Sequence, residues 1–323
     1  MHISETIPPE MQENLNKFEK EADDIVTSFS GSIGSKPQPS IIYHYTNDVG
    51  LKGILETGKI WLTDAFSLND PSEMRHGFSI LVKILESKAK TKQEKCFAKL
   101  IHNCFNNIQK LGNFFICSFS ENGDDLGQWR AYADDGLGYA LGFDRPALET
   151  PFASQDCGGI PNCSTFPVTY DDDKLGEIQQ QIVDRMFGLI STPVGMKLPE
   201  EILRAYWHKL FVLLTTRAMH ASLYFKHCAY RNEQEYRFLQ LHPTGHAPTD
   251  MKLRAHSYSL IKYLEFDWKS ANLSALKQII VGPASNRPEA QRFAEDCVDM
   301  FYRGTVPRDK VPIVHSKIPY RAT

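Results

Sequence analysis

Within these 323 residues there is no apolar run near the roughly 18 to 20 residues that cross a bilayer, and no basic-then-apolar leader. Both absences predict a cytoplasmic protein without a membrane partner. No Cys-x-x-Cys pair occurs. The seven cysteines, at positions 96, 104, 117, 157, 163, 228 and 297, are scattered, which argues against a zinc site or thiol exchange and predicts reduced, buried packing residues. Cys157 and Cys163 come nearest to a cluster, but QDCGGIPNCS holds no histidine to extend a ligand set, so no metal is expected there. Also missing are a Gly-x-Gly-x-x-Gly after a strand, a P-loop, a Gly-x-Ser-x-Gly elbow and a His-Glu-x-x-His. Dinucleotide-fold dehydrogenases, P-loop enzymes, typical α/β hydrolases and that class of metalloprotease are thereby disfavoured. Charge of one sign is not in excess: 36 bases against 39 acids leave −3, so any nucleic-acid contact must be local. There is no internal repeat.

What is present is ordinary globular material, 42% hydrophobic and 23% charged, enough to build a core in one large domain or two modest ones. Met11, Leu15, Phe18, Ala22, Ile25 and Phe29 recur in steps of four and three, the stripe of an amphipathic helix. Ser30–Ser40, rich in glycine, serine and proline, should end that helix and form a linker, so residues 1–40 read as an extension. Residues 41–323 read as a single α+β domain with helical insertions at about 71–110 and 171–226. Strands are predicted at Ile41–Thr46, Lys59–Thr63, Asn113–Glu121, Gly138–Asp144, Phe166–Tyr170, Glu233–Leu241, Ser259–Phe266, Leu276–Gly282 and around Val314. Helices are predicted after an Asn47 cap, after an Asn69 or Asp70 cap with Pro71 in the first turn, over Lys92–Gln109, around Gln128–Tyr132, over 174–190 and 199–226, and around Pro288–Met300. Residues 145–165 read as an irregular excursion.

Several side chains could carry chemistry. In Tyr43-His44-Tyr45 the strand period turns the histidine to one face and both tyrosines to the other. His44 is then either a ligand contact or a ring satisfied by a backbone carbonyl. Glu233 and Glu235, placed on one strand face, would either form surface ion pairs with Arg231 or Arg237 or hold a sugar hydroxyl and a developing positive centre. Ser118 and Ser120 share a face, as a ligand hold or as a cross-strand pair. Trp129 and Tyr132 have core-packing spacing, and Arg130 could meet a phosphate or Asp134. Asp124, Asp125, Asp134 and Asp135 are either loop ends and caps or, with Asp70 and Glu73, a two-metal nuclease site. His220, His227 and Cys228 spread over two helical turns, too far apart for one metal.

YHYT (43–46), LNDPSE (68–73), CSFSE (117–121), WRAYAD (129–134), GYALGFD (138–144), EQEYR (233–237) and IIVGP (279–283) together resemble a large bacterial family known only as a domain of unknown function. The element order is also similar to the ADP-ribosyltransferase superfamily, and the opening strand and helix resemble the DNA-modifying DarT toxins, whereas Glu233-x-Glu235 looks like the Glu-x-Glu of the Arg-type branch. That resemblance implies a mixed or antiparallel sheet core of the transferase type and NAD as substrate. It implies His44 on a ribose hydroxyl, Glu235 on the nicotinamide ribose, Glu233 toward a protein or nucleic-acid acceptor, Ser118 or Ser120 steadying the site, Thr46 beside His44, and Tyr45, Tyr132 or Tyr139 stacking on nicotinamide. It further implies a role in bacterial stress or phage defence, and requires His44, the serines and Glu235 to converge on one cleft. The alternatives are a non-catalytic nucleotide- or partner-binding module and a metal-dependent nuclease.

Overall fold

The computed structural model describes residues 7–35, 37–68, 72–104, 112–154, 163–191, 198–242, 248–256, 258–271, 274–285, 287–302 and 311–321. In chain order the first elements are α1 (Pro9–Gly34), β1 (Ile41–Thr46), α2 (Asp48–Thr57), β2 (Lys59–Asp64), α3 (Ser72–Lys88), α4 (Lys92–Asn103), β3 (Asn113–Ser120), α5 (Leu126–Tyr132) and β4 (Tyr139–Asp144). They are followed by α6 (Arg145–Ala153), β5 (Cys163–Pro167), α7 (Asp172–Ser191), α8 (Glu200–Ser222), β6 (Glu235–His242), β7 (Lys252–His256), β8 (Ser259–Asp267), α9 (Trp268–Ala271), β9 (Leu276–Val281), α10 (Arg287–Phe301) and β10 (Ile313–His315). Among the described residues no helix is long and apolar enough to cross a membrane.

The chain divides into two compact units, residues 1–36, 69–113 and 169–228 in one and 37–68, 114–168 and 229–323 in the other. The boundary drawn at residue 40 therefore gives way to a helical unit that unites the N-terminal helix with both insertions. In this unit α1, α3, α4 and α8 all pack on α7. Helix α1 buries Met11, Leu15, Phe18, Ala22, Val26, Phe29 and Ile33. It runs past the expected stop at Ser30, because the stripe continues through Ile33 and repays the poor helix propensity of Gly31 and Ser32. Val26, not Ile25, faces inward. Helices α3 and α8 approach closely at Gly77, where a Cβ would lie 2.2 Å from Ser222 Oγ. The buried Gln179 amide bridges the pair, donating to the Gly77 and Ala218 carbonyls. The proposed caps at Asn69 or Asp70 with Pro71, and residues 105–109 of the Lys92–Gln109 helix, lie outside the described residues.

The second unit is α+β, an open mixed sheet in the order β10-β9-β4-β1-β3-β2-β8-β7, with β6 on β3 and β5 on β6. Only β9 and β10 are parallel among the pairs with a described register. One sheet face, with Ile42, Leu62, Phe119, Leu141, Phe238 and Phe266, buries α2, α6, α9 and α10 through Leu51, Phe152, Trp268 and Val298. The other carries a smaller cluster of Tyr45, Trp129, Ala133, Ala140 and Ile280 that seats α5. Helix α2 starts where the Asn47 side chain accepts from Gly50 N–H at 2.8 Å and stops at Gly58, whose φ of 70° is left-handed. The excursion expected over 145–165 contains helix α6, capped by Asp144 and opened by Pro146 near its first turn. The strand expected at Phe166–Tyr170 is shifted to Cys163–Pro167, and β7 was not foreseen at all.

Candidate functional site

Strand β3 pairs with β1, β2 and β6, and a strand has only two edges, so two partners share one of them. With β1 the described register is a single pair, Tyr43 opposite Ser120. Alternation decides the faces. Ile42 and His44 point toward the main core with Cys117 and Phe119, while Tyr43, Tyr45, Ser118 and Ser120 point the other way. The His44 ring lies edge-on to Phe119 at 5.7 Å, and Nδ1–H donates to the Ser118 carbonyl at 3.2 Å. Enclosure lowers the His44 pKa below its ordinary value, and the carbonyl partly opposes that. Cys117 Sγ is 4.0 Å from the same Nδ1, but that nitrogen carries the donated proton and burial pushes the thiol pKa far up, so the two do not form a nucleophile–base pair.

On the opposite face Ser118 Oγ donates to Glu235 Oε1 at 2.5 Å, across 117 positions of sequence. Arg237 closes the carboxylate from its second side, Nε to Oε1 at 2.7 Å and Nη2 to Oε2 at 2.9 Å. Glu235 is 5% exposed and Arg237 1% exposed, so the surface ion pair expected for these carboxylates is instead a buried, bidentate one. Glu233 does not share the strand with Glu235. It ends a 3-10 turn (Cys228–Glu233), and Gln234 between them has a φ of 45°, which turns the chain before β6 starts. The Glu233 carboxylate accepts from Tyr132 Oη at 3.3 Å, and its carbonyl accepts from Ser120 Oγ at 2.8 Å. The serines thus bond the glutamate segment, not each other.

Of the residues singled out in the sequence, the structure gathers Ser118, Ser120, Tyr132, Glu233 and Glu235 on one side of β3 and adds Arg237. It does not bring His44, Tyr45 or Thr46 into that set. Tyr45 is buried against Trp129 at 4.8 Å, its hydroxyl donating to the Asn122 carbonyl, so it is core and not a stacking ring. Burial and the nearby aspartates push its pKa far up. Thr46 closes β1 opposite Tyr139, whose hydroxyl donates to Ala290 O. Burial raises the Tyr139 pKa to about 12.

Three of the four aspartates hold local structure, and Asp134 is exposed with a left-handed φ of 49°. Asp124 accepts from Trp129 Nε1, Ser316 Oγ and Lys317 N; Asp125 caps α5 by accepting from Gln128 N; Asp135 accepts from Tyr320 Oη and faces Arg130 Nε at 3.6 Å. Arg130 therefore meets Asp135, not Asp134. Among the described residues no group of three or more potential ligands is placed to hold a metal. The cysteines are less buried than expected: Cys117 and Cys297 are, Cys104 and Cys163 are intermediate, Cys96 and Cys228 are exposed, and Cys157 lies outside the described residues.

The fold and the site define an α+β protein whose polar centre is a serine–glutamate–arginine cluster between two strands. A family model described as "Protein of unknown function (DUF2971)" matches residues 128–238, about a third of the chain. That stretch holds WRAYAD from its tryptophan, GYALGFD and EQEYR, hence Tyr132, Glu233, Glu235 and Arg237, but neither His44 nor Ser118. The chain has no match among curated proteins and none among solved structures.

Proposed function

We propose that this chain is a binding module for a nucleotide-type ligand or a partner, and that it does not cleave NAD. One observation carries the reading: both oxygens of Glu235 are engaged by Arg237, one of them also by Ser118, while His44 points to the other face. A carboxylate that stabilises an oxocarbenium-like centre must turn a lone pair to the sugar. Here Arg237 and Ser118 take most of the carboxylate's acceptor positions, and at 5% exposure little of it is open to a sugar. Tyr132, 37% exposed and bonded to Glu233, supplies a ring for a base and a carboxylate for ribose hydroxyls.

A second reading, an NAD-dependent ADP-ribosyltransferase-like enzyme with a protein or nucleic-acid acceptor, is favoured by the Ser118–Glu235 bond, the middle-strand serine against a late-strand glutamate that the resemblance implies. A toxin or phage-defence role and a sheet of transferase type belong to that reading alone.

Nicotinamide release from NAD, measured with EDTA present beside calorimetric titration of NAD and simple nucleotides, separates the two. The binding reading expects saturable binding, no released nicotinamide, and affinity weakened roughly tenfold by Tyr132→Ala. Release that Glu235→Gln abolishes would establish the transferase instead.

A further inference from the structure

We propose that the β7–β8 hairpin and the outer face of β2 form a docking surface for single-stranded nucleic acid, a site separate from the Glu235 cluster and independent of how that cluster is read. In β2, Ile60 and Leu62 face the main core, which turns Lys59, Trp61 and Thr63 to the opposite face, where Thr63 is itself buried. Register places Trp61 opposite Glu265 and Thr63 opposite Tyr263 on β8, and Tyr263 and Ile261 opposite Lys252 and Arg254 on β7. An indole is large and apolar, yet Trp61 is 44% exposed, with the Tyr263 ring 4.5 Å from its centroid and the Arg254 guanidinium 5.4 Å away. The ring is propped by a neighbouring ring and a cation while nearly half its surface stays open, the arrangement that receives a stacked base.

The charges around it favour a polyanion. Lys59 and Lys252 share Glu265 at 2.8 and 2.9 Å, and Asp267 stands opposite Lys59 on β8, so these charges balance and Arg254 is the cation left over. Arg254 makes no ion pair among the described residues; its Nη2 reaches Thr63 Oγ1 only at 3.5 Å, and its buried Nε has no acceptor there. From Met251 to Leu264 the sequence has no acidic residue, and Lys252, Arg254 and His256 share the face of Trp61, while Lys262 lies on the opposite face with Leu264. In a chain of net charge −3 this is a local basic and aromatic strip, the only kind of nucleic-acid contact the composition permits. An acidic peptide would use the cations but gives the exposed indole no flat partner, so nucleic acid is the occupant the geometry favours.

The test is fluorescence anisotropy with labelled oligouridylate and oligodeoxythymidylate of about 20 nucleotides, titrated with the full-length protein from about 50 to 200 mM salt. Saturable binding is expected, weakened about tenfold by Trp61→Ala and largely kept by Trp61→Phe. Arg254→Gln should lower the slope of log affinity against log salt by about one, and Met300→Ala, at a 71% exposed site elsewhere, should change nothing. No binding of either oligonucleotide, unchanged affinity in folded Trp61→Ala, or polyglutamate bound as tightly as the oligonucleotides would overturn the proposal.

Discussion

Glu235 and Arg237 stand two positions apart on a strand and so point the same way, which makes their pairing a consequence of local geometry and their burial a consequence of the fold. The Glu-x-Arg spacing was readable in the sequence; whether water reaches it was not, because period two says which face residues share and nothing about what covers it. The same holds for His44, whose turn away from both tyrosines is legible and whose carbonyl partner, 74 positions on, is not. Arg237→Met leaves a buried carboxylate without its cation, so a loss of about 3–5 kcal/mol is expected in urea unfolding; Glu235→Leu combined with it should recover most of that, since a buried pair exchanged for apolar side chains is often neutral. His220 gives a residue-level pH prediction. Burial pushes its pKa down from 6.5 to about 4, against the pull of Asp23 and with the push of Arg217. The unfolded chain takes up this proton first as pH falls, so the contribution of the neutral imidazole is complete above about pH 6.5 and is lost progressively toward about pH 4. Urea midpoints across that window should fall less steeply in His220→Gln than in wild type.

At the scale of elements, what the sequence made plain were those with a clear periodic face: α1 from its apolar stripe, β1 and β2 from β-branched and aromatic runs, and α2 from its Asn47 and Gly58 ends. Strand β7 escaped because Lys252–His256 is exposed on both sides and has no apolar alternation to show. Helix α6 escaped because Pro146 and Pro151 read as breakers, although one stands in the opening turn and the other near the end. The α3–α8 crossing has a sharp test. Gly77→Ala pushes a methyl against Ser222 Oγ and Cβ, at 2.2 and 2.5 Å, so a loss of about 1–3 kcal/mol is expected in thermal or urea unfolding. Adding Ser222→Gly should return part of it, the signature of a steric cause and not of helix propensity.

At the scale of the molecule, the helical unit draws on three separate stretches of chain. Deleting residues 1–36 strips α7 and α8 of the face that Leu15, Phe18, Ala22 and Phe29 cover, with each large side chain worth about 1.5–3 kcal/mol of burial. Hydrogen exchange should then show α7 and α8 losing protection while β4 and β9 keep theirs; equal loss in both would mean that the units do not unfold separately. The division into two units was invisible in the sequence, because binary patterning reports that a face is buried without naming the element that buries it.

The interleaving also sets an order in time. Helix α1 is made well before α8, which it packs against and which ends only at Ser222. At about 5–20 residues per second, its apolar stripe waits roughly 10–40 s after synthesis before its partners have all emerged. During that interval the nascent helix presents seven buried-type side chains to whatever lies nearby, which makes it the natural point of engagement for a holding chaperone and the segment whose misplacement would trap the newborn chain.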